Sequence, residues 1–492
     1  MEEVVWVVPF LYRNALLLQR ESRDFMADGK AEDSFESPAI GKYRDKIING
    51  PIIRTILWLG FPPLLNQLVV VSYSLADTYW LSNYSEIVVA VPRQMWPVLM
   101  LFNALTNALT TACLSMVSQY IGGKAYDKAS VEASRFFTVS ILSGAVVGTF
   151  LFAFRGVIFG LIMSTPQEIF DDIMAYSGVM AFDLFFNYIA LTYTTLLQSV
   201  GDTKRPAMVN VISLGINILL DPFLVLGINP FPRLGVVGAA LTDVMGKIIS
   251  IIGQAYILRK SYPDFKILFT GDINAEWMGL VLRIGIPILV LGLTNGFAFL
   301  VQLRLVNMLG IVAATAFSIG FVIMDSVDAV LWGLSGAPAI IIGQSLGADK
   351  YERARDAALK ATALIFAIVA LLVCIIYPFK RAVADVFAND PRILNEAELF
   401  LHTLLPTLPF FGIFINAVSA GRGSGHTSFP TALGIFRLWG IRLALGYLLA
   451  FIMQMGSIGI WLSIALSNIV GGLVAILWIM YGKWARPVIK KD

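Results

Sequence analysis

"SQYIGGKAYDKA" at residues 118–129 returns as "GQSLGADKYERA" at 343–354. "LGFPPLL" at 59–65 returns as "IGIPILV" at 284–290 with the same offset of 225 residues, and "GDTKRP" at 201–206 is echoed by "GHTSFP" at 425–430 with an offset of 224. Three landmarks at a nearly constant offset mark a duplicated unit. The chain that carries them is 57% hydrophobic and only 14% charged over 492 residues. A soluble domain has roughly 25% charged residues, so this is an integral membrane protein. A spanning helix needs about 20 mostly apolar residues, and windows such as "RFFTVSILSGAVVGTFLFAF" and "ALIFAIVALLVCIIYPF" meet that need. The ten-residue alternation of an outer-membrane barrel is absent.

Breaks at Gly, Pro and charge clusters divide residues 51–482 into about twelve spans, at 54–82, 88–120, 131–160, 172–199, 206–226, 235–258, 278–304, 311–345, 356–379, 395–420, 430–453 and 457–481. The expected fold is therefore an all-α polytopic membrane protein of two six-helix pseudo-repeats. Because each repeat holds an even number of spans, both have the same topology. They should be related by an axis along the membrane normal, with a central cavity between them, which is the architecture of a rocking transporter. The expected organisation is an N-terminal tail at 1–50, a first lobe at 51–270, a second lobe at 271–482 and a C-terminal tail at 483–492. Lys and Arg set orientation through short loops. They gather after even-numbered spans (Lys124, Lys128, Lys204, Arg205, Arg259, Lys260, Lys350, Arg353, Arg355, Arg422) and in both tails, with Lys380 and Arg381 as the main exceptions. Both termini are thus expected in the cytoplasm, with the chain in the plasma membrane. The N-terminus begins acidic and shows no signal-peptide pattern.

Several function classes drop out. The net charge of +3 is too small to suggest a nucleic-acid partner. Cys113 and Cys374 lie far apart in apolar segments and read as small hydrophobes. His402 and His426 have no metal-ligand spacing. The glycines of "SQYIGG" and "GQSLGA" read as turns and not phosphate loops, since no Lys-Ser/Thr pair follows. Neither a catalytic cluster nor a sensory domain is visible, so the chain is not read as an enzyme or receptor, and no cofactor is expected.

The chemistry lies in the buried acids. A charge at mid-bilayer costs roughly 3 kcal/mol, so each needs a partner, a proton or a job. Asp77 stands about 23 residues into the first span and Asp221 stands 15 residues beyond Pro206. At about 1.5 Å per residue both fall in the outer half of the membrane. Asn217 is one turn before Asp221 on the same face, and Asp243 enters the sixth span from outside to a similar depth. Carboxylates, amides and hydroxyls ligate hard cations. Two close carboxylates also resist joint ionisation and so can carry a proton. The duplication supplies a control: the 225-residue offset takes Asp77 to Gln302, and aligning Pro206 with Pro430 takes Asp221 to Leu445 and Asn217 to Ile441. The scaffold is repeated and the acids are not, which argues for function. Asp183 and Asn187 in the fourth span, and Asp325 and Asp328 in the eighth, form a possible secondary site. A solvated pair, and ion pairs with Arg304, Arg437 or Arg442, are the structural alternatives. Pro62, early in the first span, removes an intrahelical bond and bends the helix. Met100, Asn103 and Asn107 are candidates for facing the cavity.

At "FPPLLNQLVVVSYSLADTYWL", "SQYIGGKAYDKA", "QSVGDTKRPAMVNVISLGINILLDP", "GVVGAALTD" and "GQSLGADKYERA" the sequence resembles the multidrug and toxic compound extrusion (MATE) family, over about residues 50–482. The match is closest to the prokaryotic branch whose coupling acids sit in the first lobe. The resemblance implies export of organic, often cationic, compounds in exchange for H+ or Na+. It supports Asp77 and Asp221 as coupling acids and Asn217 beside them, with Na+ at these three as one option. It adds Tyr176 and either Asp243 or Thr242 as neighbours of the site. The chain departs from the family pattern at Ser74, where Asn is usual, at Ser82 and Ser85, where glycines are usual, and at Asp243 after Gly238-Ala239-Ala240-Leu241-Thr242. The expected function is a monomeric ion-coupled antiporter in the lipid bilayer, exporting a cationic or amphiphilic drug-like small molecule by alternating access. The alternative is a flippase or exporter of a lipid-linked or polysaccharide precursor from the same superfamily.

Overall fold

The computed structural model of the chain describes residues 39–85, 87–387 and 390–489, without the side chains of Leu75, Asp325 and Ser326. The expected N-terminal tail is thus described only from Ala39, and the last lysines, Lys490 and Lys491, fall outside the described residues.

Among the described residues twelve helices are long and apolar enough to cross a membrane. They are α1 (Ile52–Tyr84), α2 (Ala90–Gly122), α3 (Tyr126–Ile162), α4 (Gln167–Val200), α5 (Lys204–Leu226), α6 (Val236–Ser261), α7 (Ala275–Asn307), α8 (Ile311–Gly347), α9 (Tyr351–Asp385), α10 (Pro391–Ser424), α11 (Ser428–Ile452) and α12 (Ser457–Tyr481). Each lies within a few residues of where the apolar pattern placed it. Lipid offers the backbone no hydrogen bonds, so helices that satisfy their own N–H and C=O groups are the solution available to such runs. The helices outlast the apolar windows because charged residues continue the winding at the interface, as in α9, which opens Tyr351-Glu352-Arg353. α1 runs on through Pro62 and Pro63.

The duplication is visible in the packing. α4 packs on α2, α3 and α6, and α5 on α1 and α6. Correspondingly, α10 packs on α8, α9 and α12, and α11 on α7 and α12. α4 and α10 end in the same way, on Gly201 (φ 96°) and Gly425 (φ 80°), left-handed caps that a side chain would strain. The repeats cross at α1 with α8, and at α2 with α7 and α8. One difference is local. Phe436–Leu445 of α11 winds as a π-helix, whereas α5 is α-helical throughout.

The two ends of the bundle are built differently. At the end where the described chain enters and leaves, the apolar cores mix both repeats. One joins Ile47, Ile52, Ile56, Leu59 and Leu114 to residues of 291–484. Another joins Ile40 and residues of 109–265 to Trp277, Val281, Ile284 and Ile489. At the far end each core draws on one repeat alone, residues of 81–240 in one and of 306–465 in the other. The halves are therefore joined at the terminal end and keep separate cores at the far end.

The join is reciprocal. Gln119 Nε2 donates to the carbonyl of Ser424 (3.3 Å), and Gln344 Nε2 donates to the carbonyl of Ser199 (2.8 Å). These four residues exchange under the 225-residue offset. A Cβ on Gly122 would overlap the Gln344 carbonyl, and one on Gly347 would overlap the Gln119 carbonyl. "SQYIGG" and "GQSLGA" are thus turns, as expected, and also the contact between the halves. Both flanking segments brace this seam. In the short helix Arg44–Asn49, Arg44 Nε donates to the Gly122 carbonyl at 2.8 Å, and Arg353 Nη2 donates to the carbonyls of Ile47 (2.6 Å) and Gly50 (2.7 Å). Of the expected C-terminal tail, Trp484 and Ile489 are buried and the Val488 N–H donates to Gln119 Oε1 at 2.9 Å.

Candidate functional site

The first repeat gathers its acids between α1, α4, α5 and α6. Asp221 on α5 is fully buried, and Thr242 Oγ1 on α6 lies 2.6 Å from its Oδ1. The same hydroxyl is 2.7 Å from the Ala239 carbonyl, and with one proton to give it serves one of the two acceptors at a time. Asp243 accepts two bonds at Oδ1, from Tyr73 Oη on α1 (2.6 Å) and from Asn217 Nδ2 on α5 (3.0 Å). Thr242 and Asp243 both serve the site: successive helix positions differ by about 100°, so one reaches Asp221 and the other faces Tyr73 and Asn217.

What remains open in this cluster is oxygen. Asp77 Oδ1, Asp221 Oδ2 and Asn217 Oδ1 are buried without a hydrogen-bond partner. Unmatched acceptors at this depth are costly, and a proton or a cation is the species that would satisfy them. Tyr176 on α4 is buried in the same core, and the charges of Asp243, Asp77, Asp183 and Asp221 all act on its hydroxyl. Among the described residues no three His, Cys, Asp or Glu side chains converge closely enough to hold a metal ion jointly.

Asp183 and Asn187 do not form the expected solvated pair. Both are buried, and Asn187 Nδ2 donates across to Asn103 Oδ1 at 3.2 Å. One helical turn leaves their side chains free to choose different neighbours, and α2 and α6 each offer one. This ties Asn103 into a polar contact, while Met100 and Asn107 stay exposed. Lys247 of α6, which packs along α4, is the cation whose charge acts on Asp183 and on Asp243.

In the second repeat, Asp328 acts electrostatically on both Arg437 and Arg442 of the π-helical stretch, which favours the structural pairing. Arg304 is exposed and so lies outside that cluster, and the Asp325 side chain is outside the description. Arg437 is buried against the rings of Phe411 (4.7 Å) and Phe414 (4.5 Å) and donates to Asn468 at 3.2 Å. Asn468 and Gln302, both buried, are the repeat counterparts of Asp243 and Asp77. The matching place in the second half is thus neutral to basic.

Two residues of this cluster are absent from the sequence reading. Tyr73 is one turn before Asp77, and a tyrosine facing the same side as a buried acid was a usable signal. Lys247 is one turn after Asp243 in an otherwise apolar stretch, a stronger one. Tyr73→Phe leaves Asp243 with Asn217 as its donor. A hydrogen bond to a charged group is worth about 1.5–3 kcal/mol, so Tyr73→Phe should melt below the wild type in detergent. In an Asp243→Asn background the same change should cost clearly less. Equal costs in both backgrounds would mean that the bond does not form.

Residues 62–223 and 287–448 each match the family model described as MatE, and the second match begins 225 residues after the first. The chain is 25% identical to a probable multidrug resistance protein, YoeA, of Bacillus subtilis, over 76% of this chain and 81% of the relative. It is 26% identical to a protein named an FAD transporter from Shewanella oneidensis, over 88% of this chain and 95% of the relative. Its fold is similar to that of a solved MOP superfamily transporter from Pyrococcus furiosus, with a TM-score of 0.81, 22% identity, and coverage of 91% of this chain and 98% of that one.

Proposed function

The chain belongs to the MatE family, and from that premise we propose that it is a secondary active antiporter exporting small organic compounds, cationic or amphiphilic, in exchange for H+ or Na+. It is a multi-pass membrane transporter of the drug-efflux class and not an enzyme.

The observation that carries the antiport reading is the acid cluster itself. Asp77, Asp221 and Asn217 present buried oxygens without partners, while their repeat counterparts are Gln302, Leu445 and Ile441. A cation or proton taken up there neutralises one half alone. An ion drives a conformational change only by binding one state more tightly. The joined terminal end and the separate far cores supply a second state to favour, one in which the far end closes and the seam opens. In this reading the first lobe is 51–270, the second is 271–482, and the site lies on the far side of the first. Lys and Arg in the terminal-side loops support a cytoplasmic location for that end, in the plasma membrane. The transporter acts as a monomer and needs no cofactor. The YoeA name supports drug-like substrates, and the FAD transporter name supports a small organic one.

The test uses purified protein in liposomes. Efflux of a cationic dye is followed under a pH gradient alone or a Na+ gradient alone. Flux driven by at least one gradient is the expected result. Dye movement that ignores both gradients, or none at all from folded protein, would remove the antiport reading.

A further inference from the structure

Lys247 has no place in the scheme so far. It stands at the twelfth position of α6, and no other Lys or Arg occurs between Val236 and Leu258. A lone ammonium there costs roughly 3 kcal/mol on insertion scales, so it needs anions. It has them on two helices. Asp243 is one turn earlier on the same face of α6, and Asp183 is on α4, which packs along α6. The Lys247 charge acts on both carboxylates. Asp183 Oδ1 is buried without a hydrogen-bond partner, and Lys247 is the cation whose charge acts on that carboxylate. The adjoining Gly246 lies against α5, where a Cβ would come within 3.8 Å of Asn217 Nδ2. This places the turn beside the amide that holds Asp243. Of the charged groups in the cluster, the lysine acts on Asp183 of α4 and Asp243 of α6; Asp243 in turn accepts hydrogen bonds from Tyr73 of α1 and Asn217 of α5 and acts on Asp77 and Asp221. The repeat counterpart of Lys247 is Gly472, so the lysine, like the acids, belongs to one half only.

We propose that Lys247 is a tethered cation: its ammonium serves the Asp183 and Asp243 side of the acid cluster and excludes Na+ from the coupling site. This rests on the antiport reading and narrows its ion. As a general scale, a fixed positive charge about 8 Å from a mobile one at an effective dielectric of about 20 weakens its binding by roughly thirtyfold, so an ammonium on the Asp183 and Asp243 side of the cluster is enough to disfavour Na+. Na+ also needs a shell of several oxygens; Asp243 Oδ1 is already committed to Tyr73 and Asn217, which leaves Asp77 Oδ1, Asp221 Oδ2 and Asn217 Oδ1 as the open ones. The same charge also disfavours a proton, but a proton needs one lone pair and no shell, which Asp77 Oδ1 or Asp221 Oδ2 can offer, so H+ is the ion left able to use the site.

The experiment compares wild type, Lys247→Gln, Lys247→Met and Lys247→Arg. Each is melted in detergent over a NaCl series, with choline chloride holding ionic strength constant. Each is then assayed in liposomes under separate pH and Na+ gradients. Wild type and Lys247→Arg should show no Na+-specific stabilisation and no Na+-driven flux. Lys247→Gln, or Lys247→Met if Gln does not fold, should gain Na+-specific stabilisation at concentrations at least about tenfold below any wild-type response. A lysine that merely balances charge would alter melting equally in both salts. Na+-specific stabilisation or Na+-driven flux in the wild type overturns the proposal. So does a charge-removing variant that folds and gains no Na+ response. Absence of flux under either gradient would count against the antiport reading alone, because the melting series still decides whether Lys247 excludes Na+.

Discussion

Asp77→Asn and Asp221→Asn should each abolish gradient-driven export while the protein inserts, folds and melts at or above the wild-type temperature. The two halves of this expectation have separate causes. Asn is nearly the shape of Asp, and its carbonyl oxygen can still accept from Thr242, which lies 2.6 Å from Asp221 Oδ1. The buried charge, and with it a desolvation penalty, is removed. Asp221 Oδ2 and Asp77 Oδ1 have no partner to lose, so nothing else is broken. What disappears is the ability to gain and release a charge. An ion that favours one orientation by a hundredfold contributes about 2.7 kcal/mol of drive, so export against a gradient should fall by about a hundredfold or more. The double variant should be no worse than either single one, because both act in one coupled step. Dye efflux from liposomes under the driving gradient, together with a melting curve, measures both halves. Wild-type export by either variant would make that carboxylate structural.

Gly347→Ala should lower export by at least about tenfold through a different route, by prising open the terminal seam. A Cβ at 347 would overlap the carbonyl of Gln119, and its repeat counterpart at 122 would overlap that of Gln344. Both obstacles are backbone, so no side chain can swing aside, and overpacking of this kind costs about 1–3 kcal/mol. The relief available is separation of α2 and α8. That movement strains the bonds from Gln119 to Ser424 and from Gln344 to Ser199. The orientation closed at the terminal end becomes rare, and the cycle needs both orientations. A reporter follows from the same contact. Ser345 is fully buried at the seam, so in a Ser345→Cys background with exposed Cys374 replaced by Ser, position 345 should be protected from a water-soluble maleimide. Adding Gly347→Ala should expose it. Continued protection with wild-type export would show that this contact does not close the seam.

The spans, their order and the duplication were legible in the sequence because each rests on a local rule. About 20 apolar residues in lipid leave the backbone one way to satisfy itself, and a repeat needs nothing beyond an offset. Asp77, Asp221 and Asp243 were legible as candidates for a similar reason, since a carboxylate in an apolar run is costly wherever it points, and Asn217 followed as the amide one turn from Asp221. The same logic applied to Lys247 would have found it. Partner choice was a different matter. Asp183 and Asn187 share a helix face, yet one meets the charge of Lys247 and the other bonds Asn103.

What the sequence by itself determined was the class of molecule: twelve helices, two equivalent halves, and coupling acids (Asp77, Asp221, Asp243) whose repeat counterparts are not acidic. These follow from transfer energies and periodicity, which act along the chain. The tertiary structure alone decided which oxygens are left without partners, that Tyr73 and Asn217 both serve Asp243, and that the halves meet at one end around Gly122 and Gly347. Those facts depend on distances between helices about 25 to 300 residues apart in sequence. Hydrogen bonds and steric contacts act over a few ångströms, so no pattern along one chain encodes them until the helices have packed.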